Sequence, residues 1–135
     1  MPASLPTIIL DAGPVVAVCN RHDPEHVWAS RQIFTRLGAF IVTSAAVAEA
    51  THLVRNHGAG LERIRELVGR MIVDDPAPGE ALALMCDYAP AMDYADACAV
   101  LLARKYRGAV VLTTDHRDFS IYRVPFVSPQ GEFFP

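Results

Sequence analysis

The sequence predicts an α/β fold, a mostly parallel central sheet with helices on both faces, and three observations point there. Short β-branched and aliphatic runs recur at residues 7–10, 40–43 and 109–113, separated by stretches of helical periodicity. The first run ends on Asp11 and the last runs through Thr114 to Asp115, so two carboxylates stand at strand tips. Residues 94–105 read as a helix whose stretch 97–102 (ACAVLL) is unbroken apolar, as expected of a helix wrapped by protein on most of its circumference. Strands joined by helical crossovers pair in parallel, with right-handed connections.

Each element follows from local chemistry. Residues 7–10 (TIIL) form the first strand, and after a tight turn at Gly13 the chain enters a helix with Pro14 at its first position and the apolar stretch 15–19 behind it. Asp23 and Pro24 open a second helix to about residue 37, with Val27, Ile33, Phe34 and Leu37 inward and Gly38 closing it. Residues 40–43 are a strand, after which Ser44 caps a third helix to about Asn56. Its apolar face includes Val47, Leu53 and Val54, and Glu49 lies one turn in. Gly58 and Gly60 break that helix before a charged fourth one over 61–70. A short strand at 71–73, a proline-rich loop at 74–79 and a fifth helix over 80–88, stopping near Pro90, come next. Asp93 occupies the N-cap position of the central helix with Asp96 three residues later, which leaves both carboxylates on one edge of the first turn. Arg104, Lys105 and Arg107 suit the negative end of its dipole, and Gly108 supplies the stop. Residues 109–113 are the fourth strand, 117–122 a turn with some helix, and 125–127 a last edge strand.

At 135 residues the chain is most simply one domain, 1–135, large enough to bury its own core. With 52% hydrophobic and 20% charged residues the composition is globular, and no apolar run approaches the ~20 residues a membrane span needs, so a soluble cytoplasmic protein is expected. Residues 1–10 lack a basic leader region and run directly into a strand pattern, which argues against a signal peptide. Cys19, Cys86 and Cys98 sit in apolar stretches without CxxC spacing and read as core residues of a reducing compartment. A net charge of -3 argues mildly against nucleic-acid binding. Against that, eleven of the twelve basic residues are arginine, and Arg55, Arg63, Arg65 and Arg70 fall in one stretch, so a local basic face is open to the chain.

Asp11, Glu49, Asp96 and Asp115 all fall at strand tips or in first turns of helices, in a fold whose strand ends converge. Two carboxylates about 4 Å apart repel by roughly 4 kcal/mol at an effective dielectric near 20, so such a cluster needs protons or cations. Oxygen donors without His or Cys spacing favour Mg²⁺ or Mn²⁺ over zinc.

Four segments, IILDAGPVVAV, VTSAAVAEATHLV, MDYADACAVLLAR and VVLTTDHRDFSIYR, together resemble the PIN-domain ribonucleases, most closely the VapC-type toxins of toxin–antitoxin pairs. They occur in the family's order from Ile8 to Arg123, and the ordered set, including the TTDxxDFxxYR ending, is specific where one motif alone would be weak. The resemblance implies a PIN-like fold and a Mg²⁺ or Mn²⁺ site built from Asp11, Glu49, Asp96 and Asp115. It implies cleavage of single-stranded or looped RNA by attack on phosphorus, with a 3′-hydroxyl leaving group. It also implies a cognate antitoxin protein as inhibitor, and a homodimer. Thr113 or Thr114 would orient Asp115, while Arg117 and Arg123 are candidate phosphate contacts, each singly more ordinary as solvated charge.

Each acid also has a plainer reading. Asp93 is expected to cap its helix and Asp118 the turn that follows it; Asp96 alone would be half of a capping box, and Glu49 alone a solvated helix residue. The Asp74–Asp75 pair invites comparison with phosphoacceptor receiver domains, against which its proline-rich loop speaks. An aspartyl-phosphate phosphatase would need a second aspartate where Gly13 stands. Two function classes remain: a metal-dependent ribonuclease, and a PIN-like binding or dimerisation module whose metal site is idle.

Overall fold

The computed structural model describes residues 6–36 and 38–135. Leu37, expected inward, and residues 1–5 lie outside that range. A six-stranded sheet runs in the order β3-β2-β1-β4-β5-β6, built from β1 (Thr7–Leu10), β2 (Ala39–Val42), β3 (Ile72–Val73), β4 (Val110–Leu112), β5 (Phe126–Ser128) and β6 (Gly131–Phe133). All neighbours pair in parallel except β5 with β6. β6 is absent from the sequence reading, so β5 is an inner strand and not the edge. The hairpin turns at Gly131, whose φ of +141° an L side chain rarely adopts.

Strand alternation sorts the core into two layers. Ile9, Ile41, Val111 and Phe126 face one way, packing with Val100 and Leu102 of α6 (Tyr94–Lys105), Leu84 of α5 (Pro78–Asp87) and Phe119 and Tyr122 of α7 (His116–Tyr122). Ile8, Leu10, Val42, Leu112 and Val127 face the other way. They meet Val15 of α1 (Ala12–Cys19), Ile33 of α2 (His26–Thr35), Ala46 and Ala50 of α3 (Ser44–Leu53) and Ile64 of α4 (Gly58–Val68). Both faces are covered, which is why these strands read as continuous apolar runs. The central helix α6 buries Ala97–Val100 and Leu102, as its composition requires.

Several helix details differ from the sequence reading. α1 begins at Ala12, directly after Asp11, so Pro14 is its third residue; proline is tolerated there because first-turn amides have no intrahelical partner. α2 starts at His26 because the Asp23 carboxylate takes the Glu25 amide in a turn (2.9 Å) before the helix begins. It packs through the narrow stripe Ala29 and Ile33, leaving Val27 and Phe34 60% and 72% exposed. α3 is capped by Thr43, whose hydroxyl accepts from the Ala46 amide at 3.0 Å, and not by Ser44, whose hydroxyl goes to Asp75. Leu53 and Cys86 are exposed, whereas Cys19 and Cys98 are buried as expected. The two glycines expected to separate α3 from α4 lie inside the first turn of α4. Among the described residues no helix is long and apolar enough to cross a membrane.

Candidate active site

β1 lies between β2 and β4, so the chain leaves it towards β2 and β3 on one side and later returns to β4 on the other. Open α/β sheets form a crevice above the strand ends at such a switch point. Asp11 leaves β1 there, its amide still hydrogen-bonded to the Leu112 carbonyl at 3.0 Å, and residues 113–115 leave β4 beside it. The second turn of α3 supplies Glu49 and the first turn of α6 supplies Asp96.

Asp11 is buried, and the Thr113 hydroxyl donates to its Oδ2 at 2.8 Å. Burial pushes its pKa up to about 6, against the hydrogen bonds from Thr113 and the Ala12 amide, and the charges of Glu49 and Asp93 push the same way. Asp96 is buried too. Desolvation drives its pKa to about 7, opposed by a 2.8 Å hydrogen bond donated by the Tyr122 hydroxyl and reinforced by the negative charges of Asp93 and Asp11. Glu49 stands on the exposed side of α3, and its pKa is raised first by desolvation and then by Asp93. Asp93 caps α6 in a full capping box: its Oδ1 accepts from the Asp96 amide (2.8 Å), and Asp96 Oδ2 accepts from the Asp93 amide (3.4 Å). Mutual repulsion thus links Asp11, Glu49, Asp93 and Asp96 as one group.

Asp115 behaves differently. Its Oδ1 accepts from the Asp118 amide at 3.0 Å, making Asp115 the N-cap of α7, a role the sequence reading gave to Asp118. Its charge acts on Asp118 and Tyr122 but is not among the influences on Asp11 or Asp96. Thr113 orients Asp11 and not the Asp115 carboxylate, since its hydroxyl donates to Asp11 while accepting the Asp115 amide at 3.0 Å. Thr114 packs onto Gly13, where an added Cβ would lie 2.1 Å from the threonine hydroxyl oxygen. The start of α1 fits against this turn with no side chain at residue 13, and an aspartate there would have to push the Thr114 side chain aside.

Tyr122, which the sequence reading passed over, is 1% exposed and held edge-on by Tyr88 and Phe119, with ring centroids 5.4 and 5.2 Å away. With the bonds from Tyr122 and Asp93 both on Oδ2, Asp96 keeps Oδ1 free of hydrogen bonds among the described residues. Among the described residues, the ion pairs Arg65–Glu62 and Lys105–Asp74 involve none of these acids. Nor do any three His, Cys, Asp or Glu side chains there form a ready cage for one ion. Buried carboxylates with hard oxygen donors and no cationic partner nevertheless fit Mg²⁺ or Mn²⁺ in chemistry. Arg117 and Arg123 are exposed, and Arg123 ends α7 in the left-handed region with φ of 59°.

The PIN domain family profile matches residues 8–127, from the first strand of the sheet to β5. The chain is a PIN-domain protein. It is 31% identical over 124 residues to ribonuclease VapC26 of Mycobacterium tuberculosis, spanning 86% of this chain and 92% of that protein, which places it among the VapC-type ribonucleases. Its fold is similar to that of VapC20 of Mycobacterium tuberculosis, described as a sarcin-ricin loop cleaving toxin. There the TM-score is 0.73 at 18% identity, covering 84% of this chain and 94% of that one. It is also similar to DNA-bound VapBC of Salmonella typhimurium, with a TM-score of 0.54 at 20% identity over 86% of this chain and 92% of that one. This PIN domain accordingly carries its acids on the switch-point edge, two of them buried and one engaged in capping.

Proposed function

We propose that this PIN domain is a divalent-cation-dependent endoribonuclease acting as the toxin of a toxin–antitoxin pair. The observation that carries this is the pair Asp11 and Asp96, buried at the switch point with raised pKa values and, among the described residues, without a basic partner. Such a pair is costly in a fold unless a cation joins it. Asp11, Glu49 and Asp96 would hold Mg²⁺ or Mn²⁺, with Asp115 contributing through Oδ2, the oxygen that capping leaves over. The bound cation would lower the pKa of a water and neutralise the scissile phosphate, so that no protein nucleophile is needed. Thr113 and Tyr122 fix Asp11 and Asp96, each through one carboxylate oxygen, which limits their freedom to rotate away from the phosphate.

Partners follow from surfaces away from the acids. A groove of about 200 Å³ between α1, α2 and α4 is lined by Val18, Phe34 and Leu67 together with Arg63, Glu66 and Arg70, and suits an amphipathic antitoxin helix. An antitoxin arginine entering the acidic edge would compete with the cation. Exposed Ile72 and Val73 on the edge strand β3, with Leu53 and Leu82, support a homodimer.

A second reading is favoured by the capping role of Asp115 and the lack of a ready three-ligand cage among the described residues: a PIN fold whose metal site is idle. Induced expression of the wild-type chain and of Asp11→Asn in a bacterium lacking the neighbouring gene separates the two. Wild type should arrest growth and, purified with Mg²⁺, cut RNA, while Asp11→Asn does neither. Equal growth with intact RNA would replace the nuclease by the idle module.

A further inference from the structure

With a cation bound, the acidic edge would hold a phosphate, but it has no means of choosing one. Beside it opens a cleft of about 730 Å³ between the start of α3, the loop after β3 and the start of α6. Glu49 and Asp93 line this cleft and also belong to the acidic group, so a chain seated on the acids has its neighbouring nucleotide here.

The lining specifies what can enter. The floor is small, with Ala45, Ala48 and Ala95, and the flat groups are Tyr94, Pro76 and Pro78. Tyr94 is exposed to 36% in this otherwise unfilled space. Among the described residues no Lys or Arg lines the cleft, which leaves nothing to receive a phosphate. Its polar groups besides the site acids are the Asp75 carboxylate, the Ser44 and Tyr94 hydroxyls and the Cys98 thiol. A flat apolar body with N–H donors on its edge satisfies both features, and in an RNA that body is a base. The walls are pinned before anything binds. Asp75 accepts from the Ser44 amide at 2.7 Å and the Ser44 hydroxyl at 2.6 Å, and the adjacent Asp74 accepts from Lys105 Nζ at 2.8 Å and from the Tyr106 hydroxyl.

Resting on the ribonuclease reading, we infer that this cleft is the enzyme's nucleobase pocket. A base beside the scissile phosphate stacks on Tyr94 and presents N–H donors to Asp75. Guanine, with adjacent N1–H and N2–H donors, fits best, and uracil, with acceptors on both sides of its single N–H, fits worst. A second copy of the chain is the competing occupant. The acceptor-rich lining and its continuity with the acids favour the base.

The test uses the Asp96→Asn chain with Mg²⁺, so that RNA binds without turnover, and single-stranded heptauridylate in which one guanine is walked through each position. Fluorescence anisotropy should find one position where guanine tightens binding about tenfold, the size expected of one stacked base. Tyr94→Ala should remove that gain at that position alone and Tyr94→Trp should keep it, both with unchanged circular dichroism. Binding independent of guanine position, or a gain that survives Tyr94→Ala, would overturn the pocket. So would sedimentation showing that Tyr94→Ala dissociates a dimer while RNA binding is unchanged, which would assign the cleft to a second copy. Turnover by the Asp96→Asn chain would instead count against the acid assignment, and the guanine scan would still decide the pocket.

Discussion

Asp96, in the first turn of α6, and Asp115, at the N-cap of α7, share a residue type, yet their surroundings give them different work. Asp96 is buried, fixed by Tyr122 through one oxygen, and under enough desolvation to bring its pKa to about 7. Asp115 is half-buried and spends an oxygen on the amide of its own helix. A carboxylate that caps a helix has its charge answered locally by amides and by the helix dipole. A buried one whose partners, the Tyr122 hydroxyl and the long bond from the Asp93 amide, both sit on one oxygen is left with charge that a proton or a cation must answer. The difference separates an acid the fold can use alone from one it cannot.

The largest expected effect tests that contrast directly. Asp96→Asn should lower RNA cleavage by at least ~10³-fold, by analogy with the loss of a charged group on which transition-state stabilisation depends. Asp115→Asn, which keeps a good cap, should lower it by only about tenfold. Equal losses in a steady-state cleavage assay would show that Asp115 leaves its cap when substrate binds, and the distinction would collapse. In metal-free buffer at pH 8, Asp96→Asn should also melt higher than wild type, because a neutral amide removes a buried charge.

The pH dependence of stability sharpens the same point. Asp11 and Asp96 have folded-state values near 6 and 7, above the 3.8 of a free aspartate. The native chain therefore keeps protons that the unfolded chain has already released, and stability falls as pH rises from about 4 to 7. For Asp11 alone the fall is about 3 kcal/mol. Thermal melts in EDTA should drop over this window, while Mn²⁺ should raise the melting temperature little at pH 5 and most above pH 7. A flat metal-free profile, or no Mn²⁺ shift at pH 8, would remove the reason for assigning a cation to these acids.

Smaller effects divide the residues around Asp96. Tyr122→Phe leaves its ring in place and deletes the hydrogen bond, so it should cost roughly 1–2 kcal/mol of stability and weaken Mn²⁺ about tenfold by calorimetry. Asp93→Ser replaces one good cap by another and should change stability by a few tenths of a kcal/mol, with cleavage nearly intact. If Asp93→Ser abolishes cleavage and Tyr122→Phe does not, the ligand has been placed on the wrong side of the capping box.

What could be read from the chain without a structure was whatever depends on near neighbours. The strand over residues 7–10, the central helix with its Asp93–Asp96 capping box, and the acids at element ends all follow from spacings of a few residues, because helix and strand hydrogen bonds are local in sequence. The inward assignment of Val27 and Phe34 failed because a helix that packs through a stripe as narrow as Ala29 and Ile33 leaves other apolar residues outside, and only the partner's position sets that width. β6 was missed because its residues Gly131, Glu132 and Phe133 include no β-branched side chain, so nothing marks a strand before its partner is known. Ser44 and Thr43 exchanged roles because Asp75, 31 residues away, claims the serine. The sequence by itself determined which acids lie at element ends. Tertiary structure decided which of them are buried and what holds them, since Thr113 reaches Asp11 across 102 residues and Tyr122 reaches Asp96 across 26, contacts that exist only once the sheet has closed.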